Sequence, residues 1–142
     1  MAQKKQFGPL PAPGNIVYCR FPQRKGIVGP KPRPALVVGQ VALDDGTPGL
    51  QVAYGTSQKT NDLHSGEFAI RSTDAEAFQA AGLSYDTKFD LGNCETLPYD
   101  EDWFSVPKPP RFGNTPKLGV LHPSLFLRAK AAYDAAKAKK PK

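Results

Sequence analysis

The sequence has little of several residue types on which metal sites and disulfide scaffolds depend. It contains two cysteines, two histidines, one methionine and one tryptophan in 142 residues. Two cysteines and two histidines far apart in the chain do not supply the closely spaced ligands of a zinc site. We expect Cys19 and Cys94 to be buried free thiols, with a disulfide between them as the alternative.

Several sequence patterns are also missing. There is no glycine-rich Rossmann or P-loop signature, no G-x-S-x-G elbow and no Ser-His-Asp spacing that suggests a triad. We therefore expect neither a nucleotide cofactor nor a serine hydrolase. Every apolar run is too short to cross a membrane. Residues 1–6 carry charge with no apolar segment after them, so we expect no signal peptide and a cytoplasmic protein without membrane contact.

The composition is basic and rich in turn-forming residues. The formal net charge is +6, and the chain has 13 glycines and 15 prolines without a low-complexity run. Such a chain is typical of a loop-rich β protein. Positive charge alone indicates a polyanionic partner only weakly. We divide the chain into a flexible basic leader (1–13), a single domain (14–138) and a basic tail (139–142).

Hydrophobic periodicity predicts short strands, one internal helix and one terminal helix. A hairpin turn at Asp45-Gly46 makes the second and third strands antiparallel. Thr73 and Glu76 predict a capping box for a helix over 73–81, which Gly82 ends. The last helix starts near His122, and 22–32 and 105–120 are expected to be loops. The expected strands are 16–21, 35–41, 50–54, 67–71, 86–91 and 93–97, with Gly92 as a bend. The expected fold is mainly β with α additions, a small, strongly bent sheet or barrel.

One stretch places a cation at the rim of this sheet. Prolines flank Lys31 and Arg33, and an unbroken apolar strand follows. Thr56 and Ser57 leave the next strand, and antiparallel pairing brings them to the same rim as Arg33. Such a rim suits an anion, although a stiff surface loop entering a core strand has the same pattern. Lys88 and Asp90, two residues apart in a strand, would lie on one side of the sheet.

Three blocks together resemble the PemK/MazF toxins of type II toxin–antitoxin systems. They are residues 14–18 (GNIVY), 31–38 (KPRPALVV) and 52–58 (VAYGTSQ), in the order found in that family. The resemblance implies an SH3-like β-barrel, usually a homodimer, that cleaves single-stranded RNA or mRNA at short sequences. It also implies a cognate antitoxin that blocks the groove, with operator DNA bound only through the antitoxin complex.

The resemblance also implies roles for individual residues. The essential arginine of the family falls on Arg33, and its active-site Thr/Ser falls on Thr56, with Ser57 beside it. Lys88-Phe89-Asp90 looks like the basic–aspartate element of the PemK branch, with Lys88 in place of the usual arginine. The tail beyond residue 105 departs most from well-known members, so no role is carried over to it.

The residues suit RNA cleavage by the 2′-hydroxyl of the RNA itself. Arg33 would clamp the phosphate and Thr56 would donate a hydrogen bond to it. A guanidinium is a poor base, so Asp90 is the candidate to remove the proton. Lys88 or Arg33 would assist the leaving oxygen, and no metal or other cofactor is needed.

Four lysines are the candidate RNA-binding residues of the sequence. Lys25, Lys31 and Lys59 could follow the RNA backbone, together with Lys88. Two other functions stay open at this point. One is a nucleic-acid-binding barrel that does not cleave, and the other is a protein-interaction barrel that docks a partner on its terminal helix.

Overall fold

The computed structural model describes residues 7–22 and 27–139 of the chain. Among these residues, no helix is long and apolar enough to span a membrane. The regular elements of the described residues are the strands β1 (Asn15–Cys19), β2 (Arg33–Ala42), β3 (Pro48–Thr56), β4 (Glu67–Ile70), β5 (Thr87–Pro98) and β6 (Lys117–Val120), the helices α1 (Glu76–Ala81) and α2 (Phe126–Lys139), and two 3-10 turns, Ser72–Asp74 and Pro123–Leu125.

The six strands form one antiparallel sheet in the order β4-β5-β3-β2-β1-β6. The predicted fold class is confirmed: mainly β, with one short internal helix and a C-terminal helix. The sheet is not closed into a barrel, because β4 and β6 are its two edges in the described chain. It is nevertheless curled, since Phe68 of β4 and Leu118 of β6 lie in the same buried cluster.

Strand β2 is buried on both faces of the sheet, as its unbroken apolar run predicts. Ala35 and Val37 belong to one buried cluster, which also contains Phe104. Leu36 lies between them in sequence and points into the other cluster, which α1 and α2 cover. Alternation along one strand thus feeds two cores and holds β2 rigidly at the centre of the sheet.

The internal helix begins later than the sequence predicts. The capping box of Thr73 and Glu76 is wrong, because Ala75 between them has a positive φ of 52° and separates a 3-10 turn from α1. The Asp74 carboxylate instead accepts a 2.7 Å hydrogen bond from the backbone N–H of Arg71. An acidic side chain thus satisfies the start of the turn from a position two residues before the predicted Glu76.

The bend in β5 was predicted from the sequence, and the edge strand β6 was not. The bend at Gly92 is confirmed, because β5 runs through it and residues 91–93 have no partner in the β3 register. The prediction of a loop over the whole of 105–120 is wrong, since β6 pairs with β1 at the edge of the sheet. Four residues after Pro116 are too few for a periodic pattern to show, and their partner lies about a hundred residues earlier in the sequence.

Neither Cys19 nor Cys94 is in a disulfide, as predicted. Cys19 is buried, and burial raises the pKa of its thiol to about 12. Cys94 is only half-buried. A thiol that stays protonated near neutral pH is a poor nucleophile, so Cys19 serves packing.

The leader packs on the sheet from Phe7 onward, while residues 1–6 lie outside the described chain. The ring of Phe7 lies 5.1 Å from that of Tyr99, and the backbone N–H of Gly8 donates to the carbonyl of Asn114. Burial raises the pKa of Tyr99 to about 12, and its hydroxyl donates to the carbonyl of Pro9 at 3.3 Å.

Candidate functional site

Arg33 and Thr56 lie at the same rim of the sheet. Ala35 of β2 pairs with Tyr54 of β3 at the end of their register, and Arg33 and Thr56 each lie two residues beyond that pair, at the same end of the sheet. Both residues and Ser57 line a cavity of about 620 Å³, which we call the Arg33 cavity. The structure therefore brings Arg33, Thr56 and Ser57 to one rim of the sheet, as the hairpin predicts.

Gly55 allows the two strands to approach closely at this row. A Cβ added to Gly55 would overlap the backbone carbonyl oxygen of Pro34 and lie 2.9 Å from the ring of Phe89. Only glycine therefore fits at position 55 without moving the backbone. The close approach fixes the distance between the strand that carries Arg33 and the strand that carries Thr56.

The Thr56 hydroxyl is oriented by the turn that follows β3. Its Oγ1 accepts a hydrogen bond of 3.1 Å from the backbone N–H of Gln58, and the residue is 9% exposed. A hydroxyl that accepts from the backbone still has its own hydrogen to donate. Ser57, the next residue, is exposed and adds a second hydroxyl at the cavity.

The Arg33 cavity is strongly positive. Arg20, Lys108 and Arg111 line it together with Arg33, and no aspartate or glutamate is among its described lining residues. Within residues 7–22 and 27–139, neither Arg33 nor Arg20 has a hydrogen bond or ion pair through its guanidinium group. Four like charges in one cavity repel one another unless an anion binds there. The arrangement can therefore bind phosphate groups.

Arg111 is held in place by the end of helix α1. Its Nη1 donates a 2.8 Å hydrogen bond to the carbonyl of Gly82, which has the left-handed conformation (φ 71°) predicted for the residue ending this helix. A Cβ on Gly82 would lie 2.9 Å from that Nη1. The bond uses one of five guanidinium N–H donors, so the others remain for a ligand.

Lys88 is buried in an ion pair rather than presented to the cavity. Its Nζ lies 3.1 Å from Oε1 of Glu67 and donates to the carbonyl of Asp62 at 2.9 Å. The side chains of the pair are 8% and 11% exposed. Lys88 is opposite Thr56 in the β3–β5 register, so the pair supports the strand behind the cavity.

Asp90 lies in a different depression from Arg33. It is opposite Tyr54 in β3, and it lines a depression shared with His64 and Glu67. Its Oδ1 accepts a 2.9 Å hydrogen bond from the backbone N–H of Gly92. The structure therefore brings together Arg33, Thr56 and Ser57, and it does not bring Asp90 or Lys88 into the same cavity.

The other predicted RNA-binding lysines are not in the lining of the Arg33 cavity. Lys31 is exposed two residues before Arg33, and Lys59 is exposed in the turn after Ser57, with a positive φ of 52°. Lys25 lies outside the described residues. Lys31 and Lys59 thus flank the cavity along the chain, where each could follow a bound backbone.

Five lining residues were missed as site residues by the sequence reasoning. Arg20 directly follows β1, and Lys108 and Arg111 belong to the proline-rich segment before β6. Tyr18 and Tyr85 add aromatic surface, and Tyr85 is 72% exposed. The basic residues of these segments are visible in the sequence. Their convergence depends on β1 lying beside β2 and on β6 lying beside β1.

Potential metal ligands are scattered in the described part of the chain. No three His, Cys, Asp or Glu side chains there come together in a group that could hold a metal ion. His122 instead caps the start of the last helical segment, where its Nδ1 accepts from the backbone N–H of Ser124 at 3.1 Å. His122 is therefore a capping residue of this helical segment.

Comparisons by sequence give no match for this chain, either to a family model or to a curated protein. Comparison with solved structures places it in the class of small β folds built by endoribonuclease toxins. The fold is MazF-like, as the resemblance of the three sequence blocks implies.

The similar structures are matched over almost their whole length. The Mycobacterium tuberculosis toxin MazF-mt6 has a TM-score of 0.56 at 16% identity, with 89% of this chain and 99% of that chain covered. An endoribonuclease in complex with its cognate antitoxin, from a mycobacterial species, has a TM-score of 0.55 at 16% identity, with 94% and 100% covered. An endoribonuclease from a mycobacterial species has a TM-score of 0.56 at 15% identity, with 96% and 100% covered.

Proposed function

We propose that this protein is an endoribonuclease toxin that cleaves single-stranded RNA at short sequences in the Arg33 cavity. One observation carries the proposal: Arg33, whose guanidinium has no partner among the described residues, lines a cationic cavity together with Thr56, and no carboxylate is among the described lining residues. The MazF-like fold supports the same reading, because the similar solved structures include toxins and endoribonucleases.

The chemistry requires little covalent help from the protein. The 2′-hydroxyl of RNA attacks the neighbouring phosphorus, the bond to the 5′-oxygen breaks, and the products carry a 2′,3′-cyclic phosphate and a 5′-hydroxyl. Arg33 matches the phosphate oxygens with a forked pair of N–H donors and stabilises the charge that develops on them. Thr56 and Ser57 donate hydroxyl hydrogen bonds to the same group.

Two proton transfers remain to be assigned in this proposal. Asp90 is the proposed acceptor of the 2′-hydroxyl proton. It lines a depression that shares no lining residue with the Arg33 cavity, so this role requires the RNA to bring the reacting 2′-hydroxyl within hydrogen-bonding distance of the Asp90 carboxylate. Arg33 is better placed than Lys88 to assist the leaving oxygen, because the ammonium group of Lys88 is already held by Glu67. Neither role uses a metal ion.

A protein partner follows from the same proposal. One similar structure contains an endoribonuclease bound to its cognate antitoxin. We propose that this chain also has a cognate antitoxin that blocks the Arg33 cavity, that it forms a homodimer in the cytoplasm, and that it reaches operator DNA only through the antitoxin complex.

A second function is a nucleic-acid-binding protein that does not cleave. It is favoured by one observation, since the described lining of the Arg33 cavity contains no histidine or carboxylate that could act as a base. Such a protein would bind RNA with strong salt dependence and leave it intact.

End-group analysis of the products separates the two functions. Purified protein is incubated with end-labelled single-stranded RNA in the presence of a chelator. The endoribonuclease proposal expects fragments with 2′,3′-cyclic phosphate and 5′-hydroxyl ends. Salt-dependent binding with intact RNA across diverse sequences would favour the non-cleaving protein, and cleavage that stops when chelator is added would contradict the metal-independent mechanism.

A further inference from the structure

Three cations of the Arg33 cavity are not needed to hold the reacting phosphate. Arg20, Lys108 and Arg111 line the cavity, while Arg33 already has Thr56 and Ser57 as co-donors. A single phosphate carries about one negative charge, which Arg33 alone can neutralise. Binding of the reacting phosphate by Arg33 therefore does not explain the positive charge of the other three residues.

These cations continue the row of phosphate-binding groups across the sheet. Strand order places β3, β2, β1 and β6 side by side. Thr56 ends β3, Arg33 starts β2, and Arg20 follows the last residue of β1, whose Cys19 pairs with Arg33. Lys108 and Arg111 lie in the segment that leads into β6 on the far side. Neighbouring strands are about 4.8 Å apart, so the row extends well beyond the dimensions of one phosphate.

The far end of this row is both organised and accessible. The hydrogen bond of Arg111 to the Gly82 carbonyl restricts its guanidinium, and both Arg111 and Lys108 are exposed. No described aspartate or glutamate lines the cavity to neutralise them. A restricted guanidinium loses less conformational entropy when it binds an anion than a free one does.

We propose that Arg20, Lys108 and Arg111 form a second phosphate subsite that binds a phosphate next to the one held by Arg33. The ligand is then an RNA strand with at least two successive phosphates rather than a single phosphodiester. The inference rests on the proposed function, and it assigns a binding role to the segment before β6. The competing explanation is that Arg111 only tethers this segment to helix α1.

Substrates with one and with several phosphates distinguish these explanations. The double variant Lys108→Gln/Arg111→Gln is compared with wild type on a dinucleoside monophosphate and on a single-stranded RNA oligonucleotide. If the subsite exists, the double variant should lose at least ten times more kcat/KM on the oligonucleotide than on the dinucleoside monophosphate. Lys130→Gln, a control on the surface of α2, should leave both rates at the wild-type value.

A binding measurement gives an independent readout that needs no cleavage. The affinity for an uncleavable all-2′-deoxy oligonucleotide is measured by fluorescence anisotropy at several salt concentrations. Each phosphate contact on a single strand contributes about 0.7 to the slope of log K against log salt. The double variant removes two of the three cations that bind this one phosphate, so it should lower the magnitude of the slope by about 0.7, and Lys130→Gln should not change it.

The possible outcomes separate this inference from the proposed function. An unchanged slope, or equal losses on the two substrates, would overturn the second subsite and favour a simple tether. If wild-type protein cleaves neither substrate but the slope difference is present, catalysis is refuted and the subsite stands. If wild-type protein does not bind the oligonucleotide, both are refuted.

Discussion

Substitution of Gly55 by alanine tests how the site is held together. The new methyl group would overlap the backbone carbonyl oxygen of Pro34 and approach the Phe89 ring to 2.9 Å. The main obstacle is backbone, so β2 and β3 must move apart at the row of Arg33 and Thr56. Overpacking of this kind costs about 2–3 kcal/mol of unfolding free energy. With a urea m value of about 2 kcal/mol/M, the unfolding midpoint should fall by about 1 M.

The same movement should reduce function more than stability alone explains. A displacement of about 1 Å between catalytic groups can lower the rate about 100-fold. Gly39→Ala, on the neighbouring strand, is the matched control, because the nearest atom to its Cβ would be Oε1 of Gln51 at 3.8 Å. The assays are urea unfolding followed by fluorescence and RNA cleavage under conditions in which both variants are folded. If Gly55→Ala has the midpoint and cleavage rate of Gly39→Ala, the close approach does not position the site.

Three further substitutions test the Thr56 hydroxyl, the Lys88–Glu67 ion pair and the Asp74 carboxylate. Thr56→Val removes a hydroxyl donor and should lower kcat about 100-fold, whereas Thr56→Ser should retain most activity; single-turnover cleavage measures both, and equal rates would contradict the role of the hydroxyl. Lys88→Met leaves the carboxylate of Glu67 buried without its cation and should cost about 3–5 kcal/mol in urea unfolding, partly recovered by adding Glu67→Gln; a neutral single variant would show that the pair is not structural. Burial raises the pKa of Asp74, but hydrogen bonds from the Arg71 backbone and from Arg128 outweigh this effect, so the pKa lies below its usual 3.8. The ionised carboxylate therefore stabilises the folded protein above that pH, and this stabilisation is lost as the pH falls through the folded-state pKa. Asp74→Asn should therefore destabilise by about 1 kcal/mol at pH 7 and by less at pH 3, and a difference independent of pH would contradict this.

The centre of the site could be predicted because local signals determine it. The turn at Asp45-Gly46 makes β2 and β3 antiparallel, and the prolines around Arg33 place the arginine where β2 begins. Two hairpin-connected strands fix one register, so a short stretch of sequence is sufficient to bring Arg33 and Thr56 to one rim.

The remainder of the cavity depends on contacts between distant parts of the chain. Arg111 reaches the cavity because β6 pairs with β1, which no local periodicity reveals. The burial of Lys88 likewise depends on Glu67, which comes from another strand and supplies the buried carboxylate. Alternation correctly placed Lys88 and Asp90 in one strand, but it could not indicate that Lys88 would be buried against Glu67 while Asp90 lines a depression away from Arg33.

The central claim is that the guanidinium of Arg33 is the phosphate clamp of an endoribonuclease. Its most direct test is single-turnover cleavage of single-stranded RNA by Arg33→Ala, with Lys130→Ala as the control for loss of positive charge elsewhere. No described residue bonds to the Arg33 side chain, so the variant should unfold at the wild-type urea midpoint. We expect its cleavage rate to fall about 1000-fold while the control retains the wild-type rate. Wild-type cleavage by folded Arg33→Ala would contradict the account.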